Sequence, residues 1–224
     1  MEKFQALIFD VDGVLLDSGE FHKKAWRAFA AKNSLSLADN FFEQIFGMTN
    51  QDIMPQLFGR ALNPDELTAF AEEKELIFRE EAGDGLTLFP GVGELLSQLK
   101  DAAVSMSFAT STPASNVDFY LEELGLATFF KHYCTGDDIT KGKPDPDIFL
   151  LAADKMAVKA DSCLVFEDSF PGMQAVKAAN MGLIAVTTSH SREEIVQHFQ
   201  PELIISQPGN MKITTLLAML QGKN

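Results

Sequence analysis

The sequence predicts an α/β fold, a doubly wound parallel sheet with a block of helices inserted after its first strand. Two observations predict the sheet. Apolar runs without polar alternation fall at residues 6–9, 104–109, 163–166, 183–186 and 203–205, with a shorter one at 132–135; such runs suit strands covered on both faces. Helical patterns separate most of them, the alternation that builds a doubly wound core. The third observation predicts the insertion: residues 17–85 hold no convincing strand.

In chain order, the first strand is Ala6-Leu7-Ile8-Phe9. Helices are expected at 20–32, 51–58 and 64–81, followed by the turn Gly83-Asp84-Gly85, a strand-like run at 86–89 and the turn Pro90-Gly91. Leu95, Leu96 and Leu99 give 93–100 a helical face, and Val117, Tyr120, Leu121 and Leu124 do the same for 114–124, which Gly125 stops. Pro171 suits the first turn of a helix over 171–181. This divides the chain into a core of residues 1–16 and 86–224 and a helical insertion of residues 17–85.

Composition narrows the function. The chain has 224 residues, 46% hydrophobic and 22% charged, as a folded globule has. Its net charge is −14 and its basic residues are scattered, which argues against nucleic-acid binding, since that depends on neutralising phosphates. No apolar segment approaches the roughly 20 residues of a membrane helix, and the N-terminus shows no basic, then hydrophobic leader. Cys134 and Cys163 lie far apart beside short apolar runs and read as buried free thiols, suiting reduced cytoplasm.

Four polar elements each follow a strand or lead into a helix. Asp10-Val11-Asp12-Gly13 follows the first strand, where open α/β sheets bind ligands. Glu167-Asp168-Ser169 follows the run at 163–166. If the two strands are neighbours, four carboxylates converge; each like pair at ~4 Å costs about 1 kcal/mol in water and about 4 at an effective dielectric of 20. Such a cluster needs a cation or shifted protonation, and oxygen ligands suit Mg²⁺ better than zinc. Lys143, in Lys141-Gly142-Lys143-Pro144-Asp145-Pro146-Asp147, offers an ammonium in a stiff loop, with Asp147 expected to cap the next helix. Thr110-Ser111-Thr112 offers hydroxyl and N–H donors for phosphoryl oxygens.

In this order the four elements resemble the haloacid dehalogenase superfamily along essentially the whole chain. Asp10–Gly13 resembles its first motif, Thr110 the second, Lys143 the third and Glu167-Asp168 the fourth. Glu167-Asp168-Ser169 and the pattern from Lys143 to Phe149 look most like the β-phosphoglucomutase-like phosphohydrolases. The resemblance implies a Rossmann-like core with an α-helical cap and a Mg²⁺-dependent phosphatase. Asp10 would be the nucleophile forming an aspartyl-phosphate, Asp12 the acid and then base, and Lys143 and Thr110 the other catalytic groups. The metal would be held by Asp10, the Asp12 carbonyl and Asp168, with Glu167 acting through water. Asp12 also separates the chain from the carbon-attacking dehalogenases, which lack that second aspartate.

Substrate-binding residues are expected at Ser111, Thr112, His22 and Asn50. His22 and Trp26 match the cap of β-phosphoglucomutases, but Asn50 stands where the mutases place an arginine, and Pro113 and Ala114 where they place lysine and asparagine. The lost charge-assisted grips favour hydrolysis of a monophosphate over a mutase that must hold a bisphosphate, unless Arg60 or Arg79 replaces the charge. A non-catalytic phosphate-binding relative is the reading outside enzymes. The expected partner is a small phosphorylated metabolite, with no nucleic acid and no membrane, and the chain is expected to act as a cytoplasmic monomer.

Overall fold

The computed structural model describes residues 4–220, apart from the side chains of Glu43 and Asp84. Six parallel strands form one sheet among the described residues: β1 (Ala6–Phe9), β2 (Ser105–Ala109), β3 (His132–Cys134), β4 (Cys163–Glu167), β5 (Gly182–Val186) and β6 (Leu203–Ile205), in the order β3-β2-β1-β4-β5-β6. The doubly wound core is thus as the apolar runs predict, with strand ends within a residue or so. β1 lies centrally, and the sheet closes at both edges on strands of three residues.

Alternation along β1 explains why both faces are covered. Leu7 and Phe9 point into one apolar cluster with Leu95, Leu96 and Leu99 of α5 (Val92–Asp101), Val117 and Tyr120 of α6 (Ala114–Glu123), and Leu216 of α10 (Ile213–Leu220). Ala6 and Ile8 point into another, with Ile148 and Phe149 of α7 (Asp147–Lys155), Met173 and Val176 of α8 (Phe170–Ala178), and Ile195 of α9 (Arg192–His198). No polar residue of β1 interrupts either face, hence the unbroken run ALIF.

Between β1 and α5 come α1 (Gly19–Lys32), α2 (Phe41–Ile45), α3 (Asn50–Phe58) and α4 (Pro64–Ala82). These helices share an apolar cluster of their own, with Trp26, Phe29, Phe41, Ile53 and Met54 buried at its centre. Phe29 meets Trp26, Phe58 and Phe70 edge-on at 5.9–6.4 Å between ring centroids, a favoured aromatic geometry. α4 starts with a capping box, Asn63 accepting from the Glu66 amide while the Glu66 side chain accepts from the Asn63 amide, and with Pro64 in its first turn.

Two expectations need correction. The run at 86–89 does not join the sheet; Leu88 makes only an isolated antiparallel bridge to Leu16, beside Phe89 N–H donating to Leu15 O at 2.9 Å. Its apolar residues instead fill the seam where the chain returns from the helical block, and Leu86 and Phe89 are buried in the core cluster. Asp147 is not a cap: it is the first residue of α7, and its amide donates to Asp145 Oδ1 at 3.3 Å. The bond between Lys143 and Pro144 is cis. Cys134 and Cys163 are buried free thiols as expected, and no helix among the described residues is long and apolar enough to cross a membrane.

Truncating the ring at the centre of the helical block leaves a cavity that the surrounding rings cannot close. Phe29→Ala should lower unfolding stability by about 3–5 kcal/mol in chemical denaturation; a loss under 1 kcal/mol would show that the block lacks a packed core.

Candidate active site

Register places the polar elements at one sheet edge. Phe9 of β1 pairs with Phe108 of β2 and with Phe166 of β4, so Asp10, the 109–110 step and Glu167 emerge together at the C-terminal ends of three adjacent strands. This is where open α/β sheets form their ligand crevice. Asp10 N–H still donates to Phe166 O at 2.9 Å and Thr110 N–H to Cys134 O at 3.0 Å, so both side chains sit on fixed backbone.

The floor of the site is a buried ionic cluster. Lys143 Nζ donates to Asp10 Oδ1 at 2.6 Å and to Glu167 Oε2 at 2.8 Å, and all three side chains are at most 8% exposed. The other oxygen of Glu167 accepts from Asp168 N–H (3.0 Å), Ser169 N–H (2.8 Å) and Ser169 Oγ (2.8 Å). Asp168 Oδ2 accepts from Thr188 Oγ1 at 3.1 Å and from Ser189 Oγ. Two glycines permit this crowding: a Cβ on Gly13, whose φ is +82°, would strike Asp168, and one on Gly172 would strike Glu167.

Carboxylate oxygens of Asp10, Glu167 and Asp168 lie within 4.8 Å of one another, and one ammonium does not balance three carboxylates. Burial, reinforced by the charges of Glu167 and Asp168, pushes Asp10 well above the ordinary carboxylate range against the pull of Lys143. Burial and then Glu167 push Asp168 up to about 7, with the Ser189 and Thr188 hydrogen bonds opposing. Burial would lower Lys143, but Asp10 and Glu167 outweigh it and hold the ammonium protonated. The cluster therefore suits a hard divalent cation: oxygen donors only, excess negative charge, and protonation that a cation would relieve.

Asp12 stands apart from this cluster. Its carboxylate accepts from Ser18 Oγ (2.6 Å), Thr112 Oγ1 (2.7 Å), Tyr120 Oη (3.1 Å), His22 Nε2 (3.3 Å) and, more weakly, Thr110 Oγ1 (3.4 Å). Burial works to raise Asp12, yet the hydrogen bond from His22, then those from Ser18 and Thr112, hold it well below the ordinary range. Lys74 Nζ lies 3.0 Å from His22 Nδ1. An ammonium can only donate, so the hydrogen-bond network assigns Nδ1 as acceptor and Nε2–H as donor to Asp12. The imidazole also stacks on Phe78, with centroids 4.0 Å apart.

All six expected core residues, Asp10, Asp12, Thr110, Lys143, Glu167 and Asp168, come together. Of the expected substrate contacts, Thr112 donates to Asp12, while Ser111 Oγ donates to Gly47 O at 2.7 Å and so ties the helical block to the sheet edge. His22 and Asn50 line the same cleft as Asp10 and Thr110. Arg60 and Arg79 do not: Arg60 forks onto Glu66, and Arg79 donates to Asn116 Oδ1 at 2.5 Å. Sequence reasoning missed Lys74, which lines the cleft in their stead, and Ser18, Tyr120 and Glu75. The helical spacing of Tyr120 marked only its buried ring.

Known proteins resemble this chain along most of its length. Haloacid dehalogenase-like hydrolases match as a family over residues 4–180. A phosphorylated carbohydrates phosphatase of Thermotoga maritima is 33% identical, the match spanning 79% of this chain and 82% of that protein. The β-phosphoglucomutase of Bacillus subtilis is 32% identical over 81% of this chain and 83% of its own. A HAD hydrolase structure from Entamoeba histolytica superposes with a TM-score of 0.86 at 26% identity, covering 97% of this chain and 99% of that one. The chain belongs to the haloacid dehalogenase-like hydrolases, and its relatives there include both a phosphatase and a β-phosphoglucomutase.

Protons and a cation should compete for the carboxylate cluster. Asp168 is raised to about 7, so the folded protein holds that proton below neutrality and gives it up above. Millimolar Mg²⁺ should therefore raise the Tm more at pH 8 than at pH 5.5, as followed by differential scanning fluorimetry. An equal shift at both values would contradict the assignment.

Proposed function

We propose that the chain is a Mg²⁺-dependent phosphohydrolase of small phosphomonoesters, sugar phosphates first, that works through an aspartyl-phosphate on Asp10. One observation carries the reading: the buried Lys143 ammonium spans Asp10 and Glu167 beside Asp168, with a second carboxylate, Asp12, held separately by neutral donors. The phosphatase-named relative from Thermotoga maritima supports the substrate class.

Asp10 attacks phosphorus, and the ester oxygen leaves with a proton from Asp12. Asp12 then takes a proton from water, which attacks the phosphorus of the aspartyl-phosphate and frees Asp10. Asp12 rests as the anion, because its five donors favour that form, and begins this cycle by taking the proton of the arriving phosphomonoester monoanion. Lys143 offsets the repulsion between the Asp10 carboxylate and the phosphoryl oxygens, and Thr110 and the 111–112 backbone provide further donors. Mg²⁺, held by Asp10, the Asp12 carbonyl and Asp168, with Glu167 acting through water, would supply the remaining positive charge to the phosphoryl group.

In this reading residues 17–85 act as a cap over a core of residues 1–16 and 86–224. His22 arrives on α1 and reaches Asp12 only when the block is seated, and Ser111 bonded to Gly47 supports the seated state. Buried thiols at Cys134 and Cys163 support a reducing compartment such as cytoplasm, where the chain would act as a monomer. The mutase alternative draws support from the Bacillus subtilis relative, but Asn50, Pro113 and Ala114 bring no charge where a second phosphate would be gripped.

Asp10→Asn should keep the fold and lower hydrolysis of p-nitrophenyl phosphate in Mg²⁺ by at least about a thousandfold. Activity within tenfold of wild type would rule out Asp10 as the nucleophile. With β-glucose 1-phosphate and catalytic glucose 1,6-bisphosphate, free phosphate should outpace glucose 6-phosphate; the reverse would make the chain a mutase.

A further inference from the structure

We infer that Glu75 is a specificity-determining residue that neutralises the helical-block side of the cleft, so that the enzyme takes phosphomonoesters with an uncharged, hydroxyl-bearing remainder and discriminates against a second phosphate. The inference rests on the phosphatase reading above and adds the charge of the substrate's other end. Two cations line the cleft, Lys23 and Lys74. Lys23 is ion-paired with Glu20 at 2.7 Å near the surface. Lys74 is buried, with its ammonium 2.9 Å from Glu75 Oε1, so the deeper of the two charges is balanced within the protein.

Glu75 is itself buried and fully engaged. Oε1 accepts from Lys74 and from Asn50 Nδ2 (2.7 Å), and Oε2 accepts from Asn116 Nδ2 (2.5 Å). Burial would raise its pKa, but the charge of Lys74, with hydrogen bonds from Asn50 and Lys74, outweighs burial and keeps Glu75 an anion. A distal phosphate, carrying about −1.5 to −2 at neutral pH, would meet that anion where solvent screening is weak.

The donor inventory points the same way. Of the three Lys74 protons, one goes to Glu75 and one to His22, which leaves one for a ligand. Asn50 spends one of its two amide protons on Glu75 and keeps the other to donate and its carbonyl oxygen to accept. Donors mixed with an acceptor match hydroxyls, whereas a phosphate needs donors alone. Around them, Trp26, Phe42, Met48 and Ile53 form an apolar wall that suits the C–H face of a small polyol and provides no compensating charge.

The test is competition against p-nitrophenyl phosphate hydrolysis in saturating Mg²⁺, with fructose 1-phosphate and fructose 1,6-bisphosphate as competitors. The wild type should bind the monophosphate at least tenfold more tightly than the bisphosphate. Glu75→Gln keeps the size and removes the charge, and should raise relative bisphosphate affinity at least tenfold, about 1.4 kcal/mol. Lys74→Gln, leaving Glu75 unopposed, should move the ratio the other way. A merely structural Glu75 would weaken both competitors alike. Equal binding by the wild type, a ratio unchanged in Glu75→Gln, or no competition by either sugar ester would each overturn the inference. Inert p-nitrophenyl phosphate would overturn instead the phosphatase reading on which it rests.

Discussion

The ammonium of Lys143 is the constraint around which the rest of the site is arranged. Three carboxylates crowd one sheet edge, and removing ions from water costs several kcal/mol each even after the protein relaxes. A single cation with two short bonds, to Asp10 and Glu167, makes that crowding tolerable. Backbone amides and the Ser169 hydroxyl complete Glu167, and the Phe149 ring lies 4.9 Å from the ammonium. The loop from Lys141 to Asp147 thus serves the fold and the chemistry together: it brings charge to the centre of the sheet and then starts a helix whose apolar face packs beneath it.

The second organising feature is a line of hydrogen bonds from the helical block into the core. Glu75 fixes Lys74, Lys74 sets the His22 tautomer, and His22 donates to Asp12. Ser18 joins from the start of the block, while Thr112 and Tyr120 join from the sheet side. Asp12 is therefore shared property of two packed units. Glu75, Lys74, Ser18, Thr112 and Tyr120 are buried and Asp12 and His22 are partly so, and among the described residues no buried side-chain nitrogen or oxygen lacks a partner, as a water-poor interior requires.

What could be read from the sequence was what lies next to itself in the chain. Asp10, Thr110 and Glu167 each follow an apolar strand directly, so strand position alone sends them to the same edge. Lys143 was legible because prolines stiffen its surroundings and because excess negative charge demanded a cation. Lys74 was not: in the run Glu72-Glu73-Lys74-Glu75 it looks like any solvated helical charge, and only the packing of α4 against α1 buries it. Tyr120 hid for the opposite reason, its ring satisfying the apolar pattern while its hydroxyl did the polar work. The five-residue α2 is too short for periodicity to show, and the run at 86–89 had strand composition without a strand partner. α9 carries a capping box, Ser191 with Glu194, a local signal strong enough to have placed it.

The lengths of the outermost strands have a consequence of their own. β3 and β6 contain three residues each, so either margin offers scarcely one repeat of unpaired amides and carbonyls to an incoming chain. Long, flat margins are templates for adding further strands, and natural proteins shorten them for that reason. A hydrophobic sheet buried on both faces would otherwise be a good seed for fibrous growth. Here an incoming strand would find little backbone to pair with at either margin.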